Sequence, residues 1–285
     1  MGREESIEVF RDTERICKTD IKIKEFIKKS VINQKLILEQ DSIIKPEKNI
    51  YSEPVQIIVS NKRSFEAASS YRDYSVCVHN FASASNPGGG VVNGANAQEE
   101  CLCRCSSLYF CLNTQEMWDG FYKPHRMEHN SIHNDDIIYT PNVVVFKTDT
   151  AYPRLMKEED WYEVNVVTCA APNLRDNPGN RYNSGDGNKK VRITDKELLL
   201  LHEKRLRRIL DVAQSEGNQV VVLGAFGCGA FANNPMIVAR AAKNVIEEYR
   251  YAFKVVEFAI YCSPRDTENF KVFERTFAHF DSSHV

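Results

Sequence analysis

An α/β fold, a mixed sheet covered by helices behind a helical N-terminal extension, is what three features of this chain predict. Short β-branched runs alternate with amphipathic segments from Val55 onward, and two of those runs end in glycine-rich loops. The third feature is size: 285 residues, 42% of them hydrophobic, can enclose one large core and an accessory segment.

From Glu4 to about Gln40, Ile7, Phe10, Ile16, Ile21, Ile23, Phe26, Ile27 and Ile32 recur at helical intervals among lysines and glutamates. Residues 1–50 are therefore expected to form a helical accessory segment, broken at Pro46 and Glu47-Lys48-Asn49, and 51–285 the main domain. Val55 to Ser60 reads as a strand, and Ser64 as the cap of a helix from Phe65 to Tyr71. Ser75 to Ala82 is the next strand, and a helix is expected from Glu99 to Leu108. Residues 113–136 are polar and read as irregular. Ile137 to Tyr139 and Val143 to Lys147 resemble two paired runs around Pro141, and Val164 to Ala170 a buried strand. Asn173 to Lys190, rich in Asn, Gly, Asp and Pro, predicts a mobile surface loop. Thr194 and Asp195 start a long helix with Leu199, His202, Leu206 and Ile209 inward and Lys204, Arg205 and Arg208 outward. Strand Gln219 to Leu223, helix Pro235 to Tyr249, strand Val255 to Tyr261 and a helix from Asn269 to His279 complete the order.

Composition narrows the function classes. With 37 basic and 39 acidic residues the formal charge is −2, so an anionic ligand must be recognised by local groups rather than by a basic surface. Nine cysteines without a secretory segment read as reduced thiols in a cytoplasmic protein, and no apolar run is long enough to span a membrane. Cys101, Cys103, Cys105 and Cys111 lack a partner pair at zinc-finger spacing, and Pro124 and the asparagines disrupt a helix that would align His125, His129 and His133. No metal and no cofactor is expected.

The chemistry concentrates between Asn86 and Glu100. Gly88, Gly89 and Gly90 can take positive φ and turn their N–H groups toward anionic oxygens, just past a strand end, where open α/β sheets bind ligands. Seven residues later Gln98, Glu99 and Glu100 open a helix whose dipole tolerates acids. Gly224 to Phe231 is a second such loop, after a strand and before the Asn234-Pro235 helix start, with N–H groups of Gly227, Cys228, Gly229 and Ala230 able to surround a diphosphate. Either loop alone is as readily a tight turn; two in one sheet favour a phosphate-bearing ligand.

Asn80 to Gly90, seven residues and then Gln98-Glu99-Glu100 resemble the signature of the microbial-type poly(ADP-ribose) glycohydrolases, a branch of the macrodomain fold. Tyr139-Thr140-Pro141, Thr168 to Asn173, Gly224 to Phe231 and the N-terminal stretch from Arg11 to Lys18 extend the likeness over nearly the whole chain. Two positions depart from the family pattern, Phe226 where tryptophan is usual and Asn234 where aspartate is.

The resemblance implies hydrolysis of a ribose–ribose O-glycosidic bond in poly(ADP-ribose), or in ADP-ribosylated macromolecules, by a monomer that releases ADP-ribose. Glu100 is then the general acid and base, and Glu99 orients the ribose hydroxyls. Asn86 binds the ribose diol, Gln98 fixes the loop or the adenine side, and Phe231 packs on the nucleotide. Gly88, Gly89, Gly90 and Val91 face Gly227, Cys228, Gly229 and Ala230 across the diphosphate. Successive helical residues diverge by ~100°, so the two glutamates are not expected to act as a flanking glycosidase pair. Two alternatives stay open, a non-catalytic ADP-ribose reader and a hydrolase of mono-ADP-ribose linkages.

Overall fold

The computed structural model describes residues 1–43, 47–181, 183–263, 266–278 and 280. The break expected at Pro46 and the helix end expected at His279 lie outside these residues.

Helix α1 (Arg3–Thr19) gives way at once to α2 (Ile21–Ile32), capped by Asp20, whose Oδ1 accepts from Ile23 N at 3.0 Å. The helical pattern does not reach Gln40, because Lys35–Ile37 is strand β1. Three residues are too few to display an alternation. β2 (Gln56–Ser60) leads to α3 (Ser64–Ala68) and a 3-10 turn, Ser69–Tyr71. Ser64 lies inside α3 rather than capping it; at the cap, Arg63 N donates to Glu66 Oε2 at 3.1 Å. β3 (Val76–Ala82) precedes the glycine loop, and α4 (Gln98–Cys105) and α5 (Leu108–Leu112) follow it.

Residues 113–136 are more ordered than their composition suggests. They hold α6 (Gln115–Met117), a π-helical turn (Trp118–Tyr122) and α7 (Lys123–Glu128), anchored by the fully buried Phe121 and Tyr122. The two runs around Pro141 are a single strand, β4 (Ile137–Val145), whose register slips between Thr140 and Val143 at Asn142, with φ 56°. Next come β5 (Tyr162–Ala170), α8 (Asp195–Ser215), β6 (Val220–Leu223), α9 (Pro235–Glu248), β7 (Val255–Ala259) and α10 (Glu268–Phe277). Thr194 and Glu197 form the capping box of α8.

The strands belong to one seven-stranded mixed sheet, and the chain divides into two compact units. In the first, Met1–Asp41 with Asn80–Val191, β4 pairs antiparallel with β1 on one side and β5 on the other. Ile16, Cys17 and Ile23 of the N-terminal helices share a core with Val144 and Phe146. Polar bonds add direction: Thr13 Oγ1 donates to Arg104 O at 2.6 Å, and buried Lys147 Nζ reaches Thr13 Oγ1 at 2.9 Å and Asp12 Oδ2 at 2.8 Å. Arg3 Nε donates to Asn93 O at 2.9 Å, and at Gly94 (φ +74°) a Cβ would lie 2.4 Å from Arg3 O. Only glycine lets α1 lie this close to the loop before α4.

In the second unit, Ser42–His79 with Arg192–Val285, β6 and β7 pair in parallel, with the start of β3 beside β6 and β2 beside β7. Phe258 of β7 stacks on Phe277 of α10 at 4.6 Å. The inner stripe of α8 is Leu198, His202, Arg205, Ile209 and Val212. Arg205, expected outside, is therefore buried: this stripe follows the 4-3-4-3 spacing, and a long aliphatic stem can run inward along it. Buried Glu257 accepts from Ser60 Oγ and Tyr71 OH, each at 2.5 Å, with Lys62 Nζ at 3.8 Å.

Candidate active site

The glycine loop folds back onto the first turn of α4. Gly88 and Gly89 hold φ of +65° and +57°, conformations that an L side chain rarely adopts. A Cβ at Gly89 would lie 2.6 Å from Glu100 Oε1 and 3.1 Å from Glu99 Oε2, so both carboxyls converge on this residue. The ~100° step of a helix predicts divergence. Convergence arises because the N–H groups of the loop and of the helix start draw both side chains back toward the N-terminus. Glu100 Oε1 accepts from Gly90 N and Oε2 from Ala97 N, each at 2.9 Å. Glu99, 3% exposed, accepts from Ser83 N at 2.7 Å, from Asn80 Nδ2 at 3.3 Å and from Gly88 N–H.

These bonds leave the loop N–H groups with partners inside the protein. The N–H groups of Gly88 and Gly90 point at the carboxylates, and those of Gly89 and Val91 close turns on Asn86 O and Gly88 O at 3.0 and 3.1 Å. In this structure the first loop cradles the two carboxylates. A Cβ at Gly88 would meet Tyr109 Cδ2 at 2.9 Å, and the Tyr109 ring packs edge-on against Phe10 of α1 at 5.0 Å. The N-terminal helix thus backs the loop directly.

Burial, and then the neighbouring Glu100 charge, push the Glu99 carboxyl well above the usual carboxylate range. A raised folded value means that ionising Glu99 works against the fold. Its protonated form contributes stability that is complete below the unfolded value, ~4.3, and that is lost as pH rises through the folded one. Glu99→Gln does not titrate, and its amide can donate to Asn80 Oδ1, which is buried with no partner in the described structure. Thermal melts from pH 4 to 8 are expected to show the variant gaining on the parent as pH rises. A difference that stays flat with pH would refute the raised value.

Gln98 accepts from Phe81 N at 2.9 Å and so fixes the end of β3. Half-buried Asn86 is held through its Oδ1 by Arg126 Nη2, while Arg126 Nε donates to Ser85 O at 2.7 Å and its guanidinium stacks on Trp118 at 4.6 Å. Neither Arg126 nor Trp118 stood out in the sequence, because both lie in the stretch read as irregular.

The loop from Asn173 to Lys190 is exposed along much of its length, as expected, and is pinned at several buried polar residues. Buried Asp186 accepts from Asn173 Nδ2 at 2.7 Å, its other oxygen lies 3.1 Å from His133 Nε2, and Ser83 Oγ donates to Asn183 Oδ1 at 3.2 Å. Gly185 N donates to Ser85 Oγ at 3.1 Å, and a Cβ at Gly185 would lie 2.6 Å from Arg126 Cα. Part of the polar composition here serves buried hydrogen bonding.

On the second unit, Gly227 takes φ +77°. Cys228 N donates to Ala225 O at 3.0 Å. The N–H groups of Gly227, Gly229 and Ala230 donate to no described group. Asn233 Nδ2 braces the loop through Gly227 O at 3.0 Å and Phe231 O at 3.3 Å, and its Oδ1 lies 2.9 Å from His202 Nε2. Burial lowers His202 to about 4 and His79 to about 3, so both rings stay neutral. Phe226 packs on the two rings, at 4.4 Å from His79 and 5.8 Å from His202, and Asn234 caps α9 through Met236 N at 3.0 Å. Lys62 lies beside Glu257, and Arg63 stacks on Tyr261 at 4.1 Å. All nine cysteines are free; among the described residues no His/Cys/Asp/Glu group suits a metal and no helix is long and apolar enough to cross a membrane.

The family profile "Microbial-type PARG, catalytic domain" matches residues 4–148. The crystal structure of poly(ADP-ribose) glycohydrolase from Thermomonospora curvata is similar with a TM-score of 0.82 at 28% identity, covering 96% of this chain and 100% of that one. The same enzyme bound to the inhibitor ADP-HPD gives a TM-score of 0.80 at 28% identity, with the same coverage of 96% and 100%. Poly(ADP-ribose) glycohydrolase from Deinococcus radiodurans in complex with ADP-ribose gives 0.74 at 30% identity, over 88% of this chain and 97% of that one. No curated protein matches the chain. The mixed α/β sheet, the glycine loop on its paired glutamates and the profile over residues 4–148 together establish that this chain belongs to the microbial-type PARG catalytic-domain family.

Proposed function

We propose that the protein hydrolyses the ribose–ribose O-glycosidic bonds of poly(ADP-ribose) and releases ADP-ribose. The observation that carries this reading is the meeting of two buried carboxyls at Gly89, just past the end of β3. Breaking an acetal requires a proton on the leaving oxygen while the anomeric carbon becomes cationic. Glu100, the less enclosed of the pair at 7% exposure against 3%, donates that proton and then accepts one from the attacking water. Glu99, tied to Asn80, Ser83 and Gly88, holds the loop and orients the ribose hydroxyls. Asn86 takes the ribose diol. The open N–H groups of Gly227, Gly229 and Ala230 are suited to a diphosphate, with Phe231 beside them for the nucleotide.

A non-catalytic reader has one observation in its favour. Glu100 also closes the N-terminal turn of α4 through Ala97 N, which is a purely structural use of a glutamate. Purified polymer separates the two readings. Hydrolysis predicts shrinking chain length with free ADP-ribose accumulating; intact polymer beside measurable ADP-ribose binding would leave the reader or a hydrolase of mono-ADP-ribose linkages. Cytoplasmic location and a monomeric state complete the proposal.

A further inference from the structure

Arg126 is a cation held in place with no counter-ion among the described residues. The Trp118 ring covers one face of its guanidinium at 4.6 Å, and two nitrogens are committed, Nε to Ser85 O at 2.7 Å and Nη2 to Asn86 Oδ1. Both acceptors are neutral. No carboxylate among the described residues pairs with it, in contrast to Arg15, Arg207 and Arg250, which each meet an acid. The third nitrogen, Nη1, donates to no described group and is not among the buried unpartnered atoms, so on this half-buried residue it meets solvent.

The surroundings prevent the side chain from swinging away. Gly185 lies against the Arg126 backbone so closely that a Cβ would come within 2.6 Å of Cα, and it donates to Ser85 Oγ at 3.1 Å. Its neighbour Asp186 is fixed by Asn173 at 2.7 Å and His133 at 3.1 Å. An arginine serving only to tie down the loop would not require an outward-facing N–H pair and an uncompensated charge. A guanidinium whose fork is fixed in advance loses little freedom when it takes an anion. In this structure the N–H groups of Gly88 and Gly90 meet the carboxylates and those of Gly89 and Val91 close turns, so another group on this flank of Asn86 is suited to a phosphate.

We propose that Arg126 is a substrate-binding residue whose Nη1 edge takes a phosphate of the diphosphate flanking the ribose at Asn86. The inference rests on the reading of the substrate as poly(ADP-ribose). Two diphosphates flank each ribose–ribose bond of the polymer, one within the released unit and one in its neighbour. The test measures ADP-ribose affinity by calorimetry and polymer kcat/KM for the parent, Arg126→Gln, Arg126→Lys and Trp118→Leu, each at several salt concentrations.

Arg126→Gln is expected to lose roughly ten- to a hundredfold, with the slope of log affinity on log salt reduced by about one. Arg126→Lys keeps the charge and recovers part of the loss with the parent's slope. Trp118→Leu frees the guanidinium and falls between parent and glutamine variant; it remains informative if Arg126→Gln does not fold. Weakened ADP-ribose binding assigns the phosphate to the released unit, and loss confined to the polymer assigns it to the neighbour. Equal losses in the glutamine and lysine variants with unchanged salt slopes, or no loss in either assay, would overturn the proposal. Failure of the parent to cleave polymer would instead count against the substrate reading, and the ADP-ribose arm would still report on Arg126.

Discussion

Glu100→Gln is expected to reduce polymer turnover by roughly a thousandfold, within the range that a positioned general acid supplies. ADP-ribose affinity is expected to stay within about threefold of the parent, because the side chain keeps its volume and its place at the helix start. Some stability should go as well. Glu100 accepts from Gly90 N and Ala97 N at once, and an amide can accept on one end only, so one N–H group of the loop or cap faces another donor. The cost is about 1 kcal/mol, the scale of a lost capping bond. Single-turnover assays beside calorimetry separate these effects. Parental turnover in the variant would remove Glu100 from the chemistry; parallel collapse of turnover and ADP-ribose binding would reduce it to a structural cap.

Gly89→Ala is expected to have the second-largest effect. Its Cβ would enter within 2.6 Å of Glu100 Oε1 at a backbone φ of +57°, so a strained conformation and a clash coincide at the point where the carboxyls converge. About 1–3 kcal/mol of stability should be lost, with a fall in activity of a hundredfold or more as the acid is displaced. Gly229→Ala is the matching control for stability. Its Cβ would meet nothing within 4 Å, and its melting temperature should not change. If the two alanine variants melted alike, the close approach at Gly89 would not be a constraint on the fold.

What could be read in advance divides along physical lines. The strand into the glycines, Val76–Ala82, and the acids at the start of α4 were visible because each follows from a few adjacent residues: a β-branched run, three glycines and a helix start that accepts acids. Thr194 announced α8 for the same reason, its partner Glu197 being three residues away. Arg126 was invisible because nothing near it in the chain marks it. It acquires meaning from Ser85 and Asn86, about forty residues earlier, and from Gly185 on a distant segment. The inward direction of the loop N–H groups was hidden for a related reason. Glycines permit many conformations, and the choice among them is made by Tyr109 and the two carboxyls packed around them. The helices at 115–128 escaped notice because two buried aromatic rings, rather than a periodic stripe, hold them in place.

The backing of the glycine loop by the first helix sets an order of events during synthesis and folding. Arg3 meets Asn93, 90 residues downstream; Thr13 meets Arg104, 91 downstream, and Lys147, 134 downstream. A helix made first therefore waits for most of its unit to be translated before its inner face is covered. Contacts of such long sequence separation form late and slow the search for the native state. Nascent chains would spend that interval with Phe10 and Ile16 uncovered, and the paired glutamates would acquire their final geometry among the last steps of folding.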